Sequence, residues 1–214
     1  MLGRGSEAWN DMATFIVAFA VALLMGAIVI AATGSSPVDA YRAALRAAVG
    51  SGYRFLNTLC NTTVLIMTGM ACSVAFNSGI QNIGAEGQLY LGAFAAAMAG
   101  LMKGIPAAAH VPLTLAAAAC AGAAWALLPG ILRVSRGTNE VVVTLMMNYI
   151  AVLLCSYFVN YPFRNAAATW PETAMIEASA RLPYLHPLSR FNGSFFIALA
   201  CVVAIVFINR RTKT

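Results

Sequence analysis

Long uncharged apolar runs, separated by short polar or glycine- and proline-bearing breaks, set the pattern of this chain. Met12 to Ala32 carries no charge, and at 1.5 Å per residue it predicts a helix of about 30 Å, matching a bilayer core. The run exceeds a signal-peptide apolar stretch and predicts an uncleaved anchor. Gly34-Ser35-Ser36-Pro37 ends it. From Val38 to Val49, Val38, Tyr41, Leu45 and Ala48 recur at helical spacing with Arg42 and Arg46 on the flank. That predicts a short amphipathic helix lying at the interface.

Five further membrane segments follow. Leu59 to Phe76 is the second span, and Leu89 to Met102, rich in Ala and Gly, is the third. Small residues of this kind suit helices packed closely on neighbours. Val111 to Leu132 is the fourth, with Pro112 in its first turn and a kink expected at Pro129. Arg133 to Glu140 reads as a polar loop, Val141 to Val159 as the fifth span, and Phe195 to Ile208 as the sixth. Tyr161 to Asn192, carrying four prolines, reads as a long connection outside the membrane with one short helix between Pro171 and Ala180. The expected fold is an all-α polytopic membrane bundle of about six transmembrane helices, interrupted near residues 77–88.

Composition agrees with this class. Hydrophobic residues make up 61% and charged residues 9% of the 214, whereas a soluble domain carries about a quarter charged residues. The net charge of +6 comes from 13 basic and 7 acidic residues. The basic residues are scattered through loops rather than interleaved with aromatics, so the lipid bilayer and not nucleic acid is the expected partner. With the N-terminus inside, six spans place Arg4, Arg133, Arg136, Arg210, Arg211 and Lys213 on the inner side against seven outer cations. The inner cations crowd helix ends, where the positive-inside rule is strongest, which favours both termini in the cytoplasm. The five cysteines lie singly in apolar runs, and His110 and His186 stand apart; packing residues rather than a metal site are expected.

Chemistry concentrates in two places. Asn82-Ile83-Gly84-Ala85-Glu86-Gly87-Gln88 sets an ionisable side chain and two amides between apolar segments. A charge at membrane depth faces a cavity or a partner, and Gly84 and Gly87 permit a bend or a close approach. A broken helix would free backbone groups that Asn82 or Gln88 can satisfy. An equally open reading puts Glu86 at a water-exposed helix start, where its charge suits the dipole. Asn148, mid-span beside Tyr149, is a candidate for an interhelical hydrogen bond or for the substrate pathway. The second place, Arg136-Gly137-Thr138-Asn139-Glu140, reads as a helix entry: Thr138 or Asn139 caps it and Glu140 falls in its first turn. The sequence contains no Walker A loop, nucleophile elbow or HExxH motif. No enzymatic activity and no cofactor are expected of the chain itself.

Phe76-Asn77-Ser78-Gly79-Ile80-Gln81 followed by NIGAEGQ, then Gly137-Thr138-Asn139-Glu140-Val141 with Met147-Asn148-Tyr149-Ile150-Ala151, resembles permeases of bacterial nucleoside and simple-sugar ABC importers. These are similar to the ribose and branched-chain amino acid permeases. The resemblance implies a multi-pass protein of the bacterial inner membrane. It would pair with a second permease, two cytoplasmic ATP-binding subunits that use ATP, and an extracytoplasmic substrate-binding protein. Alternating access would move a nucleoside or related sugar between the permeases. On this reading Asn82, Gly84, Glu86, Gly87, Gln88 and Asn148 are candidates for the substrate pathway or the helix break. Arg136, Thr138, Asn139 and Glu140 are candidates for the cytoplasmic face that meets the ATPase. Such permeases continue past a position like Lys213 into a coupling segment and further helices, so residues 1–214 are expected to form one partial permease domain. The alternative is an autonomous channel or ion-coupled carrier that uses Glu86 at a discontinuous helix; no inverted copy of NIGAEGQ stands in the second half.

Overall fold

The computed structural model describes residues 3–187 and 189–212, so Lys213 of the expected inner basic cluster lies outside the described residues. The described residues form seven α-helices and one short 3-10 helix: α1 (Gly3–Ala32), α2 (Pro37–Val49), α3 (Gly52–Asn77), α4 (Ala85–Gly100), α5 (Ala107–Arg136), α6 (Glu140–Asn160), the 3-10 turn Ala178–Ala180, and α7 (Ser194–Thr212). The chain divides into two compact units, residues 1–58 and 59–214.

In the first unit the apolar α1 ends in a Schellman turn. Gly34 sits at φ 80°, the Gly34 amide donates to Ala31 O, and the Ser35 amide donates to Ile30 O. This answers carbonyls that the last turn leaves open. Ser36 caps α2 by accepting from the Asp39 amide, and Pro37 occupies the first turn. The amphipathic helix expected from the spacing is therefore present. The Tyr41 hydroxyl donates to Leu23 O on α1 at 2.5 Å, and the Arg54 guanidinium donates to Arg46 O at 2.9 Å.

In the second unit α4 lies between α5 and α6. Its glycines let neighbours approach: a Cβ on Gly92 would stand 3.0 Å from Ala118 O, and one on Gly122 of α5 would stand 3.4 Å from Gln88 O. The pairs 92–118 and 88–122 run in opposite senses, so α4 and α5 are antiparallel. Gly84 faces Thr144 and Gly87 faces Asn148 and Ala151, which makes α4 and α6 parallel. Phe94 of α4 stacks on Phe158 of α6 with ring centroids 5.2 Å apart, extending that seam.

Four helices are long and apolar enough to cross a membrane: Met12–Ala32, Gly52–Asn77, Ala107–Arg136 and Glu140–Asn160. The other two expected spans are shorter. α4 has 16 residues, about 24 Å of helix, and the apolar part of α7 is Ser194–Asn209. Boundaries move as well. α4 begins at Ala85 rather than Leu89, and so carries Glu86 inside its first turn. α5 begins at Ala107 and runs through Pro129 to Arg136, which shrinks the expected 133–140 loop to Gly137-Thr138-Asn139. The long connection Tyr161 to Asn192 contains one helical element among its described residues, the turn at Ala178–Ala180.

Candidate functional site: a clipped helix break

The break between α3 and α4 spans residues 78–84. α3 closes with a second Schellman turn, in which Gly79 takes φ 76° while Gly79 N donates to Phe76 O and Ile80 N to Ala75 O. Beyond it the backbone leaves helical pairing, and each freed group that is buried needs a partner. Asn82 supplies one, its Oδ1 accepting from Gly84 N at 2.8 Å. The next partners come from α6 rather than from Gln88. Ile83 N donates to Thr144 Oγ1 at 3.3 Å, Asn148 Nδ2 donates to Ile83 O at 2.9 Å, and Gly87 N donates to Asn148 Oδ1 at 2.8 Å.

The α6 partners share one face. Thr144, Asn148, Ala151 and Cys155 are its buried residues, spaced 4, 3 and 4 apart along one side of the helix. Thr144 Oγ1 also donates to Glu140 O at 2.7 Å, which leaves its lone pairs toward Ile83. Gly87 is held tightly, since a Cβ there would meet Asn148 Oδ1 at 3.0 Å, Trp125 Nε1 at 3.1 Å and Ala151 Cβ at 3.2 Å. The Trp125 indole N–H is buried with no partner among the described residues. Glu86 points away from this seam and is exposed, in the first turn of α4. The geometry is that of a helix-start carboxylate, where the dipole favours negative charge. Gln88 is half-buried against Gly122.

The second group of residues gathers at the α5–α6 turn. Gly137 adopts the left-handed conformation at φ 62°, and its amide donates to Arg133 O. Asn139, not Thr138, caps α6: its Oδ1 accepts from Val141 N at 3.0 Å and from Val142 N at 3.4 Å. Glu140 forms an ion pair with Arg133 across the turn. Thr138 Oγ1 is buried and, among the described residues, without a partner. Gln81 joins Arg133, Thr138, Asn139 and Glu140 around an open recess of about 530 Å³. Arg136 is exposed beside it at the end of α5. Reading the sequence missed Thr144, Trp125, Gln81 and the Arg133 partner of Glu140. For Thr144 a signal existed, its four-residue spacing from Asn148.

The far ends of α4 and α5 are tied to the long connection. His110, fully buried, sits 2.8 Å from Ser179 Oγ through Nδ1 and 3.0 Å from Ala99 O through Nε2. A carbonyl only accepts, so Nε2 carries the proton and Nδ1 accepts from the Ser179 hydroxyl when the ring is neutral. Glu177 N donates to Gly100 O at 2.8 Å, and a Cβ on Gly100 would touch Ile176 at 3.0 Å. Residues 176–180 thus complete the end of α4 that its own helix leaves open.

Comparison with known proteins agrees with this architecture. The family described as the permease component of branched-chain amino acid transport systems matches residues 54–214. The guanosine ABC transporter permease protein NupP of Bacillus subtilis is 34% identical over 92% of this chain and 58% of its own length. The glucose ABC transporter permease protein TsgB13 of Haloferax volcanii is 31% identical over 98% of this chain and 58% of its own. The nucleoside ABC transporter permease protein NupB of Lactococcus lactis is 30% identical over 92% of this chain and 57% of its own. The chain therefore spans somewhat more than half the length of these relatives. No solved structure matches it. With a family match over most of its length and apolar helices to span the bilayer, this chain is a multi-pass membrane protein belonging to the branched-chain amino acid transport permease family.

Proposed function

We propose that the chain forms part of the membrane-spanning permease of an ABC importer for a nucleoside or simple sugar. The observation that carries this reading is its 30–34% identity, over 92–98% of its length, to permeases named for glucose, guanosine and nucleosides. In this reading a second permease completes the conduit, two ATP-binding subunits supply the energy, and an extracytoplasmic binding protein delivers the solute. Both termini face the cytoplasm of a cell whose plasma membrane holds the complex.

The turn Arg136-Gly137-Thr138-Asn139-Glu140 is the contribution of this chain to the cytoplasmic face that meets the ATPase. Its recess with Gln81, and its Thr138 hydroxyl without a partner among the described residues, suit a protein neighbour that completes the hydrogen bonding. The break at Asn82 to Gln88, clipped by Asn148, is the point where α4 turns along the pathway.

The second reading, a carrier that binds an ion at a discontinuous helix, would need backbone groups left open at the break. Ile83 O, one of the carbonyls such a site would use, is already taken by Asn148, which favours the importer.

Uptake decides between them. Membranes containing the whole transporter should accumulate tritiated guanosine or glucose with ATP and the binding protein, independently of ion gradients. Uptake that survives removal of the ATP-binding subunits and collapses with an ionophore would overturn the importer reading.

A further inference from the structure

At the end of α5 remote from Arg136, a cavity of about 590 Å³ opens between α4, α5 and residues 175–192. Thr114, on its wall, and Arg133, at the cytoplasmic turn proposed above, are 19 residues apart on one helix, about 30 Å, the thickness of a bilayer core. The floor is Ala93 and Ala97 of α4, and Thr114, Arg181, Tyr184 and Asn192 supply the polar rim. No carboxylate lines the cavity among the described residues.

Three of the rim groups are held by hydrogen bonds, each with capacity left over. Arg181 Nε and Nη2 both donate to Ile176 O, at 3.2 and 2.6 Å; this anchors a guanidinium that has five N–H donors. Thr114 Oγ1 donates to Val111 O at 2.8 Å and so offers lone pairs. Asn192 Oδ1 accepts from Ser194 N at 3.0 Å, which leaves the amide N–H groups as donors. Tyr184 brings a phenol that both donates and accepts. Small side chains below and mixed donors and acceptors above suit a molecule rich in hydroxyls, and the importer reading makes it a neutral nucleoside or sugar. A volume of this order holds a ligand of nucleoside or monosaccharide size.

We propose that this cavity is an entry site for the transported solute, a neutral polyhydroxylated molecule held by Arg181, Thr114, Tyr184 and Asn192 over the alanine floor of α4. The proposal rests on the importer reading and adds where, on the side away from the ATPase, the solute first touches this chain.

The test uses the whole transporter in membrane vesicles, with native cysteines replaced and Ala93→Cys or Ala97→Cys introduced singly. A charged, water-soluble thiol reagent should react at both positions. Saturating guanosine or glucose, whichever the complex transports, should slow the reaction by roughly threefold or more, as expected for a ligand covering the floor. Arg181→Gln should raise the KM for uptake by about fivefold or more with little change in maximal rate, the mark of lost binding that is uniform along the reaction path. Reaction only with a bilayer-soluble reagent would make the cavity lipid-filled and overturn the proposal, as would labelling that transported solute does not slow. Uptake that survives removal of the ATP-binding subunits would overturn the importer reading, and an unreactive floor would independently exclude an aqueous entry site.

Discussion

Asn148 holds both sides of the peptide turn that starts α4, donating from its Nδ2 to Ile83 O and accepting at its Oδ1 from Gly87 N. One side chain on α6 therefore fixes where α4 begins and how close it lies, and the two helices are joined through α5 in sequence but directly in space.

Replacing Asn148 with Leu keeps the volume and removes both bonds. Each buried backbone group left unpaired costs about 1–3 kcal/mol, whereas a hydrogen bond between membrane helices averages only about 0.6 kcal/mol when the unfolded reference finds other partners. Melting of the purified complex in detergent separates the two scales. Ile83 O and Gly87 N stand four residues apart, the spacing of a helical hydrogen bond: the smaller loss is expected if they pair with each other once the amide is gone, the larger if they stay apart.

Gly87→Ala should destabilise the chain by about 1–3 kcal/mol, the usual cost of overpacking, since three fixed walls lie within 3.2 Å of the new methyl. Gly92→Ala meets a backbone oxygen at 3.0 Å and should behave similarly. Gly69→Ala, inside α3 with nothing within 4 Å, is the contrast. It should be neutral or stabilising by up to about 1 kcal/mol through helix propensity. The same thermal melts rank all three.

Asn139→Ala removes the α6 cap and should cost about 0.5–2 kcal/mol. Glu140→Gln breaks the ion pair with a partly exposed Arg133, worth about 0–1 kcal/mol. A fall in ATPase co-purification or uptake much steeper than these stability losses would locate the contact at this turn. Uptake that follows stability alone would confine both residues to capping.

Glu86→Gln tests the exposed carboxylate. The loss of its interaction with the start of α4 should be about 0.3–1 kcal/mol, and the complex should assemble at normal yield. Failure to assemble would show that Glu86 pairs with a polar group of a neighbouring subunit.

His110→Ala removes the imidazole's bond to Ser179 and its bond to Ala99 O at the end of α4, and should expose the amides of residues 176–180 to hydrogen exchange, while Ser179→Ala removes only the first and should have a smaller effect. Equal protection in both variants would mean that packing of Ile176 on Gly100, not the imidazole, holds the segment.

Much of the fold was legible in local pattern. Apolar runs located the helices, Gly34-Ser35-Ser36-Pro37 marked the end of the first, and Asn139 was one of two residues standing where a cap belongs. The break was visible because NIGAEGQ interrupts two such runs. What the break pairs with was not visible, because Thr144 and Asn148 lie at least 61 residues from the groups they bond, and no periodicity reports a contact between helices. The tie between His110 and Ser179, 69 residues apart, was hidden for the same reason. The start of α4 was misplaced because hydropathy rises only at Leu89, while Ala85 to Gln88 can already wind once Asn148 completes the first turn.

The imidazole tether ties residues 176–180 to the junction where α4 ends and α5 begins. On the same connection Trp170 is 78% exposed. The chain has three tryptophans, so with Trp9 and Trp125 replaced by Phe the remaining indole becomes an intrinsic reporter of this connection, and its emission should shift when His110→Ala cuts the tether.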